Sequence, residues 1–492
     1  MADLLKLADI AGARVVNAPS APMDITFIGL DSRTIDQGGL FAALPGTRVH
    51  GAEFADQAAE AGAVLTDEAG LAILSDDPRP ILVVDDVRAV LGYVSAKVFG
   101  EPSKSIVLLG VTGTSGKTTT TFMLEKGLTA AGHKVGLIGT TGTKIAGRDV
   151  ATELTTPEAP TLQALFKKMA DEGVTHVVME VSSHALMLGR INGADFDVAG
   201  FTNLSQDHLD FHPTMEDYFD AKALFFDPAS PLAAKRSVIC VDDEWGQRMA
   251  ELAADPVTVG TRGEPADVEA ELVRIDDSGT QRIRLNNREF SLPMPGAFNV
   301  ANAALACAIA EEAGVDLDEF IRGLESAAVP GRMERIDEGQ DFVAVVDYAH
   351  KPAAIGAVLA TLRGQVDGRI GVAVGAGGDR DSSKRPLMGA EAAAADFVVV
   401  TDDNPRTEDP AAIRAAVLQG AREAGTSAEI VEVGPRGEAI DALVAWAKPG
   451  DAIIVVGKGH EVGQIVGTEK IHFDDREEMR RALRARGEET GK

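Results

Sequence analysis

The sequence contains very little cysteine. Cys240 and Cys307 are its two cysteines among 492 residues, and each lies in an apolar stretch. Two isolated cysteines cannot form a disulfide framework, which excludes the class of small disulfide-linked secreted domains. We predict that both side chains are buried free thiols.

Long apolar runs are also absent. No segment reaches the length that a membrane span requires, and Met1–Lys6 lacks a basic segment followed by a long apolar one. We therefore predict no membrane insertion and a cytoplasmic location.

Basic residues are in deficit, because 47 Lys and Arg stand against 76 Asp and Glu, giving a formal net charge of −29. This balance argues against nucleic acid or an anionic membrane surface as a partner. An anionic substrate must instead be held by local clusters of Lys and Arg.

The apolar fraction of 45% and the charged fraction of 25% are ordinary for a globular protein, and we expect a monomer.

The length of the chain predicts about three domains. We place them at residues 1–102, 103–331 and 332–492. Strands and helices alternate in the second and third, which predicts an α/β fold with a doubly wound parallel sheet in the central domain and a Rossmann-like C-terminal domain. The predicted strands are 25–30, 81–84, 106–109, 174–180, 198–202, 238–241, 342–347, 370–374, 397–401, 429–433 and 452–456, and the predicted helices include 161–172 and 299–313.

A polyphosphate-binding loop follows the strand at 106–109. The segment Thr112–Thr119 reads Thr-Gly-Thr-Ser-Gly-Lys-Thr-Thr and precedes a helical pattern. Glycines allow backbone N–H groups to converge on phosphate oxygens, Lys117 would reach the β- and γ-phosphates, and the Thr118 hydroxyl would bind Mg²⁺. Val111 stands where the strict GxxxxGK[ST] pattern has its first glycine. We call Thr112–Thr119 the phosphate loop and predict that it binds ATP.

Three features of the predicted central domain each have a plain structural interpretation. Glu180, at the end of a predicted strand, is either a Mg²⁺ ligand or a solvated strand-end carboxylate. The segment Asp207–His212 holds two His and two Asp, which could form a metal or phosphate site or a polar loop. Lys222 lies in an otherwise apolar helix, where a lysine commonly extends its ammonium group to solvent.

Polar loops also follow the strands of the C-terminal domain, where open α/β sheets bind ligands. One contains Arg380, and another reads Asp402-Asp403-Asn404-Pro405-Arg406. Arginine is the natural bidentate partner of a carboxylate. The alternative is a turn with a surface arginine, because Asn-Pro is a strong turn signal.

The chain resembles the Mur ligases, the ATP-dependent enzymes that add amino acids to the peptidoglycan precursor. The resemblance covers the whole chain and depends on the order of its motifs. These are TGTSGKTT, EVSSHAL, NLSQDHLDFH, FDAKALFF, GAFNVANAALA, GRMER and DYAHKP, together with LDSR, TTPEAP, DDNPR and GKGHE, which are similar to those of the members that add meso-2,6-diaminopimelate.

The resemblance implies three domains, ATP and Mg²⁺, UDP-N-acetylmuramoyl-dipeptide and meso-diaminopimelate as ligands, and a carbamylated Lys222. Leu188 stands where some relatives have a substrate-contacting Gln, and Gly46-Thr47-Arg48 differs from the polar triplet of some relatives. The implied site residues are Lys117, Lys222, His208 and Glu180 for catalysis; Thr118, Glu180, His208 and carbamylated Lys222 for Mg²⁺; Gly113, Thr114, Ser115, Gly116, Lys117, Thr118, Thr119, Asn299, Asn302, Arg332, Asp347 and His350 for ATP; Ser32, Thr155, Thr156, Ser182 and Arg190 for the UDP substrate; and Arg380, Asp403, Asn404, Pro405, Arg406, Gly457 and Glu461 for diaminopimelate.

The implied reaction activates a carboxylate as an acyl phosphate, which an amine then attacks. Three other functions remain as alternatives. Folylpolyglutamate synthase shares the phosphate loop, but about a hundred residues precede the loop here. A lysine-adding ligase would not need Arg406, because lysine lacks the distal carboxylate of diaminopimelate. A nucleotide-dependent switch would not need polar loops at strand ends in two domains.

Overall fold

The computed structural model describes residues 2–46, 48–152, 154–208, 211–276, 279–327 and 330–490. The chain forms two compact units. Thr47, Leu209 and Asp210, which belong to predicted ligand-binding segments, lie outside the described residues. Among the described helices, none combines the length and the apolar character that crossing a membrane requires. The first unit is Met1–Leu204, Glu216–Val268 and Ala304–Gly323, and the second is Ser205–Met215, Glu269–Ala303 and Leu324–Lys492.

The first hundred residues form a small α/β sheet in the first unit. Strands β4 to β7 are parallel, and β2 joins them antiparallel, in the order β2-β7-β6-β5-β4. The elements are β1 Ala2–Asp3, α1 Leu4–Ala11, β2 Arg14–Val16, β3 Asp24–Ile25, β4 Ile28–Gly29, β5 Leu40–Ala42, β6 Ala63–Thr66, α2 Glu68–Ile73, β7 Ile81–Val83 and α3 Val87–Val98.

The single strand predicted at 25–30 is wrong, because the chain forms two strands there. Ile25 of β3 pairs with Ala2 of β1, whereas Ile28 of β4 pairs with Leu40 of β5 in another sheet. Ile25 and Ile28 are both buried although they are three residues apart. One strand would place residues three apart on opposite faces, so the chain must change direction between them.

The central sheet of the first unit positions the phosphate loop. Its strands run in the order β11-β10-β9-β12-β8-β13-β14-β15, and β8 lies between two parallel neighbours, β12 and β13. Strands β10 and β11 are antiparallel. The elements are β8 Val107–Thr112, α4 Lys117–Ala130, β9 Val135–Gly139, β10 Gly142–Ile145, β11 Arg148–Val150, α5 Ala159–Asp171, β12 His176–Glu180, α6 Ser183–Met187, β13 Val198–Phe201, α7 Met215–Ala223, β14 Arg236–Cys240, α8 Glu244–Leu252 and β15 Val257–Gly260.

Three antiparallel strands and two helices follow in sequence: β16 Val268–Ile275, β17 Gln281–Leu285, β18 Arg288–Leu292, α9 Ala297–Glu312 and α10 Leu317–Leu324.

The second unit contains a six-stranded sheet in the order β19-β20-β24-β21-β22-β23. All neighbours are parallel except β19 and β20. The predicted strands 370–374 and 452–456 are confirmed to the residue. The elements are β19 Glu334–Arg335, β20 Val343–Asp347, α11 Pro352–Arg363, β21 Ile370–Val374, α12 Lys384–Ala392, β22 Phe397–Val400, α13 Pro410–Glu423, β23 Glu429–Glu432, α14 Arg436–Trp446, β24 Ala452–Val456, β25 Gln464–Val466, β26 Glu469–Ile471 and α15 Asp475–Thr490.

Helices cover both faces of this sheet. Val372 packs with residues of α11, α12 and α13, whereas its neighbour Ala373 packs with residues of α14 and α15. Successive side chains of a strand point to opposite faces, so each strand is buried on both sides. The predicted α/β fold class is therefore confirmed.

Candidate active site

The strand before the phosphate loop is longer than the sequence predicts. It continues from Val107 to Thr112, and the carbonyl oxygen of Val111 accepts a hydrogen bond from the backbone N–H of Val181 at 2.8 Å. Val111 therefore belongs to β8, and the turn begins at Gly113. Because Val111 lies in the strand and not in the turn, its position does not require the glycine that the strict GxxxxGK[ST] pattern has there.

Gly113 makes the turn possible. Its φ is 140°, and a Cβ at this position would lie 1.9 Å from Oγ1 of Thr202. A side chain is excluded on both counts. Helix α4 then begins after Gly116, so its first N–H groups lie at the phosphate loop, where a helix N-terminus favours anions.

The side chain of Lys117 lies against the phosphate loop. Its Nζ donates hydrogen bonds to the carbonyl oxygens of Gly113 at 2.8 Å and Thr114 at 3.0 Å. Thr118 and Thr119 are buried in the first turn of α4. The ammonium group of Lys117 is therefore held against the turn at Gly113 and Thr114, beside the N-terminus of α4.

Asn203, just after β13, holds the phosphate loop in place. Its backbone carbonyl accepts from the N–H of Thr114 at 2.9 Å, and its side-chain amide bonds both the N–H and the carbonyl of Ser115 at 3.0 Å. Thr202 adds a hydrogen bond of 2.7 Å to the Ser115 carbonyl. Sequence reasoning assigned no role to Asn203, although a polar residue directly after an apolar strand was a usable signal.

Glu180 is buried rather than solvated, with 1% of its surface exposed. It pairs in register with Val111 at the end of β12, one strand from the phosphate loop. One carboxylate oxygen accepts from the backbone N–H of Thr140 at 2.8 Å, and the other accepts from the Thr140 hydroxyl at 3.1 Å. The orientation of this carboxylate is thus set by Thr140, a residue that sequence reasoning missed.

Lys222 does not extend to solvent. Its residue surface is 1% exposed, and its Nζ donates to the carbonyl of Gly113 at 3.0 Å and to the Thr112 hydroxyl at 3.4 Å. The same Nζ lies 4.6 Å from the centre of the Tyr218 ring. Helix α7 therefore carries the lysine to the phosphate loop, and the solvent-extended interpretation is wrong.

Four of the residues assigned to the UDP substrate lie together in the first unit. The Thr156 hydroxyl donates to the Glu180 carbonyl at 2.8 Å and accepts from the N–H of Ser182 at 3.2 Å. Thr155 and Thr140 are joined through their hydroxyls at 3.2 Å. Arg190 donates to the Thr156 carbonyl at 3.3 Å.

Glu158 orients two arginines beside this group. It accepts from Arg190 at 3.0 Å and from Arg88 of α3 at 3.2 Å. Ser32, also assigned to the UDP substrate, lies in a turn of the N-terminal segment, with its hydroxyl 3.4 Å from the side-chain oxygen of Gln57. Leu188 is half-buried at the end of α6.

The His and Asp residues after β13 belong to the second unit. Asp207 forms an ion pair of 2.7 Å with Lys351 and lies 3.2 Å from His208. Burial raises the pKa of Asp207, but the charges of Lys351 and His208 outweigh it and hold that pKa below its usual range. Within the described part of the chain, no three His, Cys, Asp or Glu side chains are close enough to form a metal site by themselves.

The residues assigned to ATP outside the phosphate loop are in the second unit. The Asp347 carboxylate accepts from the N–H groups of Met333 and Ala349 at 2.7 Å, and burial raises its pKa. Arg332 stacks on the Tyr348 ring at 4.3 Å. Asn299 and Asn302, both buried, are joined at 3.1 Å.

His350 is uncharged at neutral pH. Burial and the charges of Lys351 and Lys384 lower its pKa to about 3. Its Nδ1 lies 3.0 Å from the Tyr348 carbonyl, which can only accept. Nδ1 therefore carries the proton, and Nε2 is available as an acceptor.

Charged and polar residues cluster where β22 and β24 end in the six-stranded sheet, and we call this group the carboxyl-edge pocket: Asp403, Asn404, Arg406, Gly457, Lys458 and Glu461. The Asn404 amide donates to Glu461 at 3.2 Å. Gly457 has a φ of 117°, and a Cβ there would lie 2.8 Å from the Asp403 carboxylate.

The loop that contains Arg406 is fixed to the loop after β21. The Gly378 N–H donates to the Asn404 carbonyl at 2.9 Å, and Arg406 donates to the Gly378 carbonyl at 2.6 Å. A Cβ on Gly378 would lie 1.9 Å from the carbonyl oxygen of Pro405. Because Asp403 and Asn404 are buried, the alternative of a simple surface turn is wrong. Arg380 is exposed beside this loop.

Three family profiles and a similar protein match this chain along most of its length. Residues 24–97 match the profile "Mur ligase family, catalytic domain", 111–310 match "Mur ligase middle domain", and 331–459 match "Mur ligase, glutamate ligase domain". A Corynebacterium glutamicum protein named UDP-N-acetylmuramoyl-L-alanyl-D-glutamate--2,6-diaminopimelate ligase is 62% identical, covering 98% of this chain and 97% of its own.

Solved structures show the same architecture. A structure with the same ligase name has a TM-score of 0.67 at 34% identity and covers 98% of this chain and 99% of its own. Mycobacterium tuberculosis folylpolyglutamate synthase, solved with ADP and AMPPCP, has a TM-score of 0.60 at 22% identity over 74% of this chain and 91% of its own. The latter similarity concerns the fold alone.

Proposed function

The chain belongs to the Mur ligase family, and from this premise we propose that it ligates meso-2,6-diaminopimelate to UDP-N-acetylmuramoyl-L-alanyl-D-glutamate at the expense of ATP. It acts as a cytoplasmic monomer in the synthesis of the peptidoglycan precursor. The observation that carries the proposal is the carboxyl-edge pocket, which combines two carboxylates, a lysine and an arginine, as the ammonium and carboxylate groups of an amino acid require.

The reaction proceeds in two steps. An oxygen of the D-glutamate γ-carboxylate attacks the γ-phosphorus of ATP, and the bond to the β,γ-bridging oxygen breaks to release ADP. The amine of diaminopimelate then attacks the acyl carbon and loses a proton, and phosphate leaves with the electrons of the carbon–oxygen bond. Lys117 stabilises the charge on the transferred phosphoryl group.

The residues at the phosphate loop fit a Mg²⁺ ion. In nucleotide sites this ion is held by one or two carboxylates together with phosphate oxygens and water. Glu180, buried beside the phosphate loop, and the Thr118 hydroxyl would supply the protein ligands. The bound ion would neutralise charge on the β- and γ-phosphates. His208, the other resemblance-based ligand, belongs to the second unit and remains a prediction.

We propose that Lys222 is carbamylated. Its unprotonated Nζ attacks the carbon of CO₂, a carbon–oxygen electron pair moves to oxygen, and the nitrogen loses a proton. The product is an anion, which suits a position near Mg²⁺ far better than an ammonium group. The burial of Lys222, whose surface is 1% exposed, supports the proposal, because desolvation disfavours the charged amine.

Lys222→Ala tests the carbamate. The variant should be nearly inactive and should regain part of its activity with a short carboxylic acid such as formate, which replaces the missing anion. Lys144→Ala, at a lysine of β10, serves as the control for nonspecific effects of the acid. Failure of the acid to restore Lys222→Ala, in a folded protein, would contradict the carbamate.

The remaining resemblance-based roles are part of the same proposal. The UDP substrate contacts Ser32, Thr155, Thr156, Ser182 and Arg190; ATP contacts the phosphate loop with Asn299, Asn302, Arg332, Asp347 and His350; and diaminopimelate contacts Arg380, Asp403, Asn404, Pro405, Arg406, Gly457 and Glu461.

A phosphate-release assay with one amino acid at a time tests the function. Release should require ATP, UDP-muramoyl-dipeptide and meso-diaminopimelate together. Lys117→Ala should abolish release in a folded protein, because it removes a cation from the phosphoryl group. Preference for lysine would indicate a lysine-adding ligase, and release that needs a folate and glutamate would indicate a folylpolyglutamate synthase. Hydrolysis without any amino acid would indicate a nucleotide switch.

A further inference from the structure

Lys458 is a completely buried charged member of the carboxyl-edge pocket, with 0% of its surface exposed. It follows β24, and its Nζ donates to Oδ1 of Asn404 at 3.0 Å. The same Nζ lies 3.5 Å from Oδ1 of Asp403 and 3.7 Å from Oε2 of Glu461. One ammonium group thus contacts three of the side chains assigned to the incoming amino acid.

This contact determines which atoms of Asn404 face which partner. Oδ1 accepts from Lys458 and from the backbone N–H of Ile465 at 2.9 Å, so both of its lone pairs are used. Nδ2 must then point away from Lys458, and it donates one hydrogen to Glu461. The second hydrogen of Nδ2 remains for a carboxylate acceptor. Reversing the amide would place two donors, Lys458 and Nδ2, against each other.

Lys458 also sets the charge of the pocket. The carboxylates of Asp403 and Glu461 with the ammonium group of Lys458 carry one net negative charge, which matches one ammonium group of an amino acid, and Arg406 adds the positive charge for a carboxylate. Burial and the charge of Asp403 raise the pKa of Glu461, whereas Lys458 opposes that rise. The other charged or titratable groups around Glu461 are Tyr348, which hydrogen-bonds it, and Arg436 of α14, which is paired with Asp475 of α15.

We propose that Lys458 is a positioning residue for the incoming amino acid, which orients the Asn404 amide toward a carboxylate and keeps Asp403 and Glu461 available for an ammonium group. The inference rests on the proposed function and extends it to how the pocket distinguishes the two ends of diaminopimelate. Lys458 acts through Asn404, Asp403 and Glu461 rather than on the reacting atoms.

Two variants separate the two effects of Lys458. Lys458→Met removes the hydrogen-bond donor and the charge while keeping the length of the side chain. Lys458→Gln removes the charge and keeps an amide N–H that can bond Oδ1 of Asn404. Lys470→Met, at an exposed lysine of β26, is the matched control.

The KM for diaminopimelate and the KM for ATP are measured for each variant from about pH 6.5 to about pH 8.5. Lys458→Met should raise the KM for diaminopimelate by about 30-fold or more at neutral pH, with the KM for ATP changed less than about twofold. Lys458→Gln should raise the KM for diaminopimelate less. In both variants, the ratio of this KM to the wild-type value should fall as pH rises, because adjacent carboxylates without a cation share a proton at low pH.

Each of the other possible results contradicts either the proposed function or the positioning role of Lys458. If wild type releases no phosphate with diaminopimelate, the proposed function is wrong. If wild type is active and folded Lys458→Met keeps the wild-type KM for diaminopimelate, the positioning role is wrong. Equal increases in both KM values, or a KM ratio that is independent of pH, would assign Lys458 a purely structural role. Should Lys458→Met fail to fold, Lys458→Gln decides by the same criteria.

Discussion

Thr140 connects two groups of side chains through a single hydroxyl. That hydroxyl donates to Glu180 at 3.1 Å and lies 3.2 Å from the hydroxyl of Thr155. The first partner belongs to the proposed Mg²⁺ site and the second to the proposed UDP-substrate site. A change at Thr140 should therefore affect both sites without removing a residue that contacts either ligand.

Thr140→Val should lower kcat and raise the Mg²⁺ concentration needed for half-maximal activity, each by about 10- to 100-fold, because Glu180 loses its side-chain donor. Thr140→Ser is the matched control, since it keeps the hydroxyl and the backbone N–H. Its activity should stay within about threefold of wild type. Titration of activity with Mg²⁺ measures both effects. Equal behaviour of the Val and Ser variants would show that the hydroxyl is unimportant.

Arg406 should determine the choice of amino acid, because lysine lacks the distal carboxylate of diaminopimelate. Arg406→Ala leaves that carboxylate unpaired, which costs on the order of 2–5 kcal/mol, or roughly 30- to 5,000-fold in kcat/KM. The KM for ATP should change little, and any weak activity with lysine should fall less. Arg406→Lys keeps the charge but loses bidentate geometry, so it should be intermediate. Unchanged diaminopimelate kinetics in Arg406→Ala would refute this role.

Single residues also show where sequence reasoning reached its limit. Lys117 was assigned from its local sequence, a Gly/Thr-rich loop between a strand and a helical pattern, because the chemistry of the phosphate loop is local in sequence. Lys458 was overlooked although it stands in the GKGHE motif, because its partners Asp403 and Asn404 are about fifty residues away. Thr140 was overlooked for the same reason, since Glu180 is 40 residues away. Contacts between distant segments require the fold.

Among the structural elements, α14 and α15 are joined by a completely buried ion pair. Arg436 donates two hydrogen bonds of 2.7 Å to Asp475 and one of 2.9 Å to the carbonyl of Val456, the last residue of β24. Both side chains are fully buried. The pair therefore holds two helices against the end of the strand that leads into the carboxyl-edge pocket.

Arg436→Met should lower the free energy of unfolding by about 3–5 kcal/mol, because Asp475 is left as a buried unpaired charge. The double variant Arg436→Met/Asp475→Leu should be destabilised less than the single one. In a Trp245→Phe background Trp446 of α14 is the one remaining tryptophan, so its fluorescence reports urea unfolding of the second unit. A double variant that is less stable than the single variant would contradict the argument.

The elements that sequence patterns predicted well are those buried on both faces. Residues 370–374 and 452–456 form continuous apolar runs in the middle of a parallel sheet, and both strands have the predicted bounds. The prediction was wrong at 25–30, where the apolar spacing fitted one strand but the two halves pair with different partners. At β8 the predicted strand ended too early, since the glycine and threonine at its end resemble loop residues.

For the molecule as a whole, one buried histidine should make stability depend on pH. His176 begins β12 with its ring 4.1 Å from that of His133, and burial together with His133 lowers its pKa to about 4. The folded protein binds a proton at His176 less tightly than the unfolded chain, whose histidine pKa is about 6.5. The contribution of His176 to the unfolding free energy therefore keeps its full value above about pH 6.5 and decreases as the pH falls toward 4. Nearby Asp197 opposes the shift.

His176→Gln should therefore reduce the loss of unfolding free energy between pH 7 and pH 5 by roughly 1–2 kcal/mol relative to wild type. Urea unfolding at each pH in a Trp446→Phe background, followed by the fluorescence of Trp245 in the same unit as His176, measures this difference. His472→Gln, at an exposed histidine, is the control and should follow the wild-type curve. An equally steep acid loss in His176→Gln and wild type would show that His176 does not contribute.

The family of the whole molecule was predictable because eleven short motifs occur in one order along the chain. Each motif by itself allows a simpler interpretation, as Glu180 and Lys222 show. The boundaries at 102 and 331 stay predictions, because the two compact units of the structure do not test them.

The separation of core and loops in the six-stranded sheet has an evolutionary consequence. Among the described residues, the three loops 375–380, 401–406 and 457–461 contribute Ala376 alone to the apolar clusters on the two faces of that sheet. The residues proposed to select the amino acid therefore lie outside these apolar clusters. Substitutions at the exposed positions of these loops should change the preferred amino acid at little cost in core packing, so a descendant of this chain has a short route to a different cell-wall amino acid.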